Sequence, residues 1–194
     1  LKEQEIPGPG EAFKYNDVRV NLLSFSLLNL LQEPLPEVLK REIMNPIGAS
    51  TSWNWYGYEK SKILLNEVMV SSVSGGGHFG GGLFISSFDH ARFGLLFLRN
   101  GKWKNKLLVS PDWIRLVRQP SENNDSYGYM WWLNKGIRKW KGLAENIYYG
   151  AGFGGNFIII IPDQNLVVVA RWIDSSIIGD FVKKVVDSQI DPKN

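Results

Sequence analysis

Two stretches of this chain are apolar at every position, residues 157–161 (FIIII) and 166–169 (LVVV), and Pro162-Asp163-Gln164-Asn165 separates them. β-Branched runs on either side of turn-forming residues predict a hairpin. Apolarity that is continuous rather than alternating predicts strands covered on both faces, so the hairpin is expected centrally in a sheet with helices on either side. Elsewhere the period is helical. Val20, Leu23, Leu27, Leu30 and Leu31 recur at helical spacing over 18–31, with Asn16 or Asp17 as cap and Pro34 as stop, which predicts a core helix. Pro36 opens a second helix that finishes near Met44. Ser86 or Ser87 caps a third over 88–99, with Asp89 in its first turn and Asn100-Gly101 as its end. Ser110-Pro111 starts a short helix that ends before Pro120, and residues 177–186 form a closing helix over the sheet. Residues 68–73 read as extended and 127–133 as a strand.

Glycines and aromatics mark where a site could lie. Gly150, Gly152, Gly154 and Gly155 crowd the entry to the first apolar run, where missing Cβ atoms permit positive φ and close approach. They fit either a β-bulge or sheet corner, or a place where a ligand comes close. Gly150, Gly152 and Gly155 match G-x-G-x-x-G, as do Gly75, Gly77 and Gly80. A strand rather than a helix follows the first, and no acidic residue lies about 20 positions beyond the second, so a nucleotide cofactor is not expected. Trp53, Trp55, Tyr56 and Tyr58 cluster without helical period and either cap a core or line a pocket wall. His78, between two glycine triplets, is the better functional candidate of the two histidines; His90, on a helix, reads as a surface or satisfied residue.

Composition narrows the chemistry. The 194 residues, 44% hydrophobic with 8 Trp, 7 Tyr and 10 Phe, suit one domain with a real core. A net charge of +3 is too small to argue for nucleic acid. With no cysteine and two histidines, neither disulfides nor a metal site is expected. No apolar run of roughly 18 residues or more and no leader motif occurs. Lys135, Arg138, Lys139 and Lys141 surround Trp140 in a loop expected to be solvated, with contact to an anionic membrane or peptidoglycan as the other reading. The chain starts at Leu1 in a polar segment leading into Pro7-Gly8-Pro9-Gly10, and reads as cut from something longer.

The order of these pieces resembles a known family. Pro9-Gly10 is followed by Phe13-Lys14-Tyr15-Asn16-Asp17, then the glycine-flanked segment 74–82, then FISSFDHARFGLLFLRNG, then YYGAGFGGN leading into a hairpin and a last helix. Together they are similar to the later part of the serine β-lactamase-like hydrolases: class C β-lactamases, penicillin-binding peptidases, and related esterases and amidases. The resemblance covers nearly the whole chain. It implies an α/β fold of the α+β type, an antiparallel sheet flanked by helices, with residues 1–194 as the C-terminal portion of one domain. It also implies a periplasmic or secreted location and a small ester or amide substrate. In that family the serine of S-x-x-K attacks an acyl carbonyl with help from its lysine and from the tyrosine of Y-x-N, giving an acyl-enzyme that water clears. Tyr15 matches that tyrosine, Asp17 stands at the asparagine, and Gly150-Ala151-Gly152 matches the K-T-G or H-x-G strand. The second oxyanion donor carries over to the Phe153 N–H, and His78, Trp53 and Trp55 are candidate substrate contacts.

Three departures shape the expectation. An acid replaces the amide at Asp17, and no cation or threonine stands at Gly150-Ala151, which points to a less charged acyl substrate than a penicillin. No serine here has lysine three residues later, so the nucleophile is expected upstream of Leu1, in a segment of the same protein that acts as partner. The rival expectation is a non-catalytic binding or scaffold module that kept the fold.

Overall fold

The apolar hairpin contributes to two of the core clusters. In the computed structural model, which describes residues 7–75 and 81–189, five antiparallel strands are ordered β11-β10-β9-β8-β7. They are β7 (Tyr127–Gly128), β8 (Trp131–Leu133), β9 (Tyr148–Gly152), β10 (Asn156–Ile161) and β11 (Leu166–Ala170). β10 pairs Phe157 with Ala170 on one side and with Ala151 on the other, and every residue from Phe157 to Ile161 is buried. Alternate residues serve two cores, as the pleat requires. Tyr149, Phe157, Ile159 and Ile161 meet Ile178 and Val182 of helix α5 (Ile178–Asp187), whereas Tyr148, Ile158 and Ile160 meet Phe97 of α3 (Ser87–Leu98) and Ile114 of α4 (Pro111–Leu116). Gly94 lets α3 approach β11, since a Cβ there would stand 2.6 Å from Val167. The two-faced cover is as expected; the central position is not, because β11 is the edge strand among the described residues.

Sequence and structure part company in two more places. Residues 127–133 are not one strand but a tight hairpin, β7 and β8, turned by Tyr129 (φ 44°) and Met130 (φ 74°). Both central residues take positive φ, as a primed two-residue turn demands, yet neither is Gly, Asn or Asp, so no turn signal was visible. Helix α1 (Asp17–Leu31) forms with Asn16 as cap, its Oδ1 accepting from Val18 N at 2.9 Å. It is not a core helix, however. Only Ser24 and Leu28 are buried; Leu23, Leu27, Leu30 and Leu31 are exposed, Leu30 at 77%. Beyond α1, α2 (Leu35–Leu39) runs into a π turn at Lys40–Met44. Three small two-stranded sheets complete the fold: β2 (Lys62–Leu65) with β3 (Val68–Ser71) and β5 (Lys102–Trp103) with β6 (Lys106–Leu107) are hairpins, and β1 (Asn54–Tyr56) pairs with the more distant β4 (Gly82–Phe84).

Candidate functional site

The glycine cluster resolves into a three-residue turn, 153–155, between β9 and β10, which close with the pair Gly152 and Asn156. Gly154 (φ 74°) and Gly155 (φ 75°) hold the left-handed conformation that the turn needs. The group that approaches them is the chain itself: a Cβ on Gly155 would overlap the Ile173 carbonyl, and one on Gly154 would stand 2.6 Å from the Trp172 ring. Gly152 differs. Its Cβ would meet nothing nearer than 3.5 Å, and with Phe153 it lines a cavity of about 600 Å³. Gly75, Gly81, the β4 segment, Ser86 and Ser87 form other parts of that wall, and Asn156, Arg171 and Trp172 complete it.

Arg171, one residue past β11, is the only charged side chain among the described lining residues. Its guanidinium donates to Ile85 O at 3.2 Å, Ser87 Oγ at 3.4 Å and Asn156 Oδ1 at 3.4 Å, and lies 3.1 Å from His90 Nδ1. Asn156 in turn donates to Phe153 O at 2.7 Å, so one amide ties the arginine to the glycine turn. Burial and then the Arg171 charge push the His90 pKa down to about 4, so at neutral pH the ring is uncharged and accepts from the guanidinium. His90 is thus a satisfied residue, as its helical position suggested, but it is satisfied by the cavity's cation. It also lines a neighbouring 300 Å³ apolar pocket with Trp55, Leu83 and Phe93.

The start of α3 is held from behind by Asp89, which is buried. Its carboxylate accepts from Ser50 Oγ at 2.6 Å, Ser50 N at 3.0 Å, Ser86 Oγ at 2.9 Å and Arg92 at 3.1 Å. Burial pushes its pKa up, but the hydrogen bonds from Ser50 and Ser86 with the Arg92 charge outweigh it and hold the group below the usual carboxylate range. Asp89 therefore fixes Ser86 and Ser87 at the cavity wall without itself facing the cavity.

Of the residues expected to be catalytic, Phe153 lines this cavity, whereas Tyr15 and Asp17 do not. The Tyr15 ring stacks on Trp132 at 5.8 Å and meets Tyr127 edge-on at 6.2 Å, and Tyr15 is not among the lining residues. Trp132 opposes Tyr149 in the register of β8 and β9, on the α5 face that Ala151 also shares. Gly150 faces the other way, against Ile158. Burial, with the Asp17 charge second, raises the Tyr15 pKa, so its phenol is a proton donor rather than a base as it stands. The cavity connects to the same helix a little further on: Asn21 Oδ1 accepts from Gly75 N at 3.0 Å and from Ser74 Oγ at 3.2 Å.

Of the aromatic candidates, Trp55 donates its indole N–H to Ser74 O at 2.7 Å and lines the apolar pocket, whereas Trp53 packs on the Met44, Ile47 and Leu96 core. His78 lies outside the described residues. The loop after β8 is pinned rather than simply solvated: buried Asn134 accepts from Trp140 N at 2.6 Å and donates to Ala144 O at 2.7 Å, Arg138 lies 3.8 Å over Trp132, and Lys139 pairs with Glu145. Arg171, Asn156 and Trp172 were missed by sequence reasoning. They sit at strand ends, Asn156 closing the YYGAGFGGN stretch and Arg171 and Trp172 outside any motif, and only the hairpin's register brings them together.

Among the described residues no group of three or more His, Cys, Asp or Glu could hold a metal ion, and no helix is long and apolar enough to cross a membrane. No protein-family model matches the chain, and no curated protein matches it. Solved structures do. A Bacillus anthracis protein assigned as a 6-aminohexanoate-dimer hydrolase superposes over 95% of this chain with a TM-score of 0.71 at 19% identity, and 45% of its own length is covered. A Bacteroides dorei protein assigned as a β-lactamase matches over 96% with a TM-score of 0.66 at 14% identity, 62% of it covered. EstCE1, a hydrolase with promiscuous acyltransferase activity, matches over 84% with a TM-score of 0.58 at 17% identity, 51% of it covered. The chain thus spans about half the length of these structures, and its helices and antiparallel sheet have the fold of the β-lactamase-like hydrolases.

Proposed function

We propose that this chain forms one wall of an ester or amide hydrolase that works through an acyl-enzyme, with the attacking serine supplied by an S-x-x-K segment outside the 194 residues. The observation that carries the reading is the cavity beside the 153–155 turn, bordered by Gly75, which α1 holds in place. The serine oxygen would form a bond to the acyl carbon while the bond to the leaving alkoxide or amine breaks; water then cleaves the acyl-enzyme and restores the hydroxyl. The Phe153 N–H is assigned to the developing oxyanion and Tyr15, protonated, to the leaving group. Two further features support a missing layer: the apolar outer face of α1 is exposed, and the chain covers only 45–62% of the superposed structures. In a protein that includes the upstream segment, Tyr15→Phe is expected to lower p-nitrophenyl ester hydrolysis by about 10²–10⁴-fold with the melting temperature unchanged. Unchanged turnover would remove Tyr15 from the mechanism.

The second reading, a binding or scaffold module without chemistry, is favoured by the position of Tyr15 against Trp132, outside the cavity. Covalent labelling by a fluorophosphonate separates the two. The hydrolase reading expects stoichiometric labelling of the protein carrying the S-x-x-K segment and none of the 194-residue chain; a long protein that stays unlabelled is a binding module.

A further inference from the structure

A second cavity lies at the other end of β9 from the glycine turn. It encloses about 300 Å³ between the end of α4 and the start of β9, and shares no described lining residue with the cavity that Arg171 borders. Tyr148, in its wall, and Gly152 are the first and last residues of β9, roughly 13 Å apart along the strand. We propose that this pocket binds the phosphoryl group of a small, hydroxyl-bearing phosphomonoester, at a site separate from the catalytic cavity and independent of the hydrolase reading. Arg115, Arg118 and Lys135 bring three cations to the lining, and its one acid, Glu145, is engaged by Lys139 at 2.6 Å. Three cations against one acid leave an excess of at least two positive charges, which suits a dianion better than a single carboxylate.

Neither arginine is neutralised by the fold. They are three residues apart at the end of α4, where Arg118 N donates to Arg115 O at 3.3 Å and continues the helical turn, so their side chains leave on one face. The Arg118 guanidinium lies over the Tyr148 ring, 5.6 Å from its centroid, and makes no hydrogen bond or ion pair among the described residues. Arg115 meets Asp112 at 3.4 Å, and both groups are largely exposed, so that pair is weak. A phosphoryl group offers each planar fork two oxygens to accept from. Leu133, Ile147 and Tyr148 give the pocket a buried apolar wall, beside which such bonds are stronger than in open water. A hydroxyl on the carrier suits the lining too. Asn146 donates through Nδ2 to Asp163 at 2.6 Å and leaves its buried Oδ1 without a donor among the described residues.

Titration calorimetry on the 194-residue chain decides this, with glycerol 3-phosphate as the probe and inorganic phosphate and glycerol alongside. We expect saturable binding of glycerol 3-phosphate, weaker binding of phosphate and none of glycerol. Arg118→Gln should weaken the ester's binding by about tenfold to a hundredfold, and Arg118→Lys by less. Arg115→Gln, at an exposed position where loss of fold is not at issue, should act in the same direction. Lys60→Gln, the same charge change in the exposed turn before β2, should leave the affinity as it was. No saturable binding, an affinity unmoved by either arginine variant, an equal loss in Lys60→Gln, or phosphate bound as tightly as the ester each overturns the site. So does arginine-dependent flotation with phosphatidate vesicles that soluble glycerol 3-phosphate does not displace, since the arginines would then serve a lipid surface. None of these readouts involves ester hydrolysis, so the hydrolase reading can fail without deciding this one.

Discussion

His90 sits where two roles compete, accepting a hydrogen bond from Arg171 and resisting protonation in a half-buried setting. Its folded-state pKa of about 4 lies below the ordinary 6.5, so between those values the unfolded chain binds a proton that the folded chain refuses. Stability is therefore complete above pH 6.5 and falls as the pH drops toward 4, by on the order of 3 kcal/mol if His90 acts alone. Urea unfolding at a series of pH values is expected to show this slope, and His90→Asn to flatten it. Asp89 contributes in the same direction but lower, below the usual carboxylate range, where its lowered pKa is finally titrated. Neither effect could be read from the sequence, where His90 was merely a polar residue on a helix and Asp89 a first-turn acid.

At the level of elements, the four glycines that looked alike in sequence do different things. Gly155 has positive φ and no room for a Cβ beside the Ile173 carbonyl, whereas Gly152 has open space on the cavity side. Gly155→Ala is expected to cost about 3 kcal/mol or more, because backbone strain and a backbone overlap coincide. Gly152→Ala is expected to cost less than about 1 kcal/mol. Thermal melts of the two variants check the contrast; equal losses would mean that the turn is not what the glycines serve. The helices were legible because their caps are local chemistry: Asn16, Ser86 and Ser110 each accept from the backbone of the next turn, at the places their residue types suggest. The β7–β8 hairpin was not, because Tyr129 and Met130 adopt an unfavourable conformation that only packing of the flanking strands sustains.

For the molecule as a whole, the exposed stripe of α1 has a direct consequence. Val18, Leu22, Leu23, Leu27 and Leu30 present apolar surface to solvent, more than isolated exposed residues account for. The 194-residue chain by itself is expected to bind a hydrophobic dye such as ANS and to self-associate in sedimentation. Replacing Val18, Leu22 and Leu30 with Lys should reduce both while the unfolding midpoint hardly moves, since these side chains are 60–77% exposed. If dye binding is unaffected, α1 is not the open face.

Residue order along the chain was enough to locate the helices, the apolar hairpin and the glycine turn, and the similarity of their succession to a hydrolase family pointed to the fold that the superposed structures share. Those features depend on neighbours within a few positions, through caps, turns and periodicity. What surrounds the cavity depended on folding: Ser87, Asn156 and Arg171 meet only because β10 and β11 pair in one register and α3 lies across them. The same holds for α1, whose helical period is indifferent to whether its apolar face has a partner. A local pattern specifies an element's shape, while its surroundings, and hence the charge that a substrate would meet, are set by segments tens of residues away.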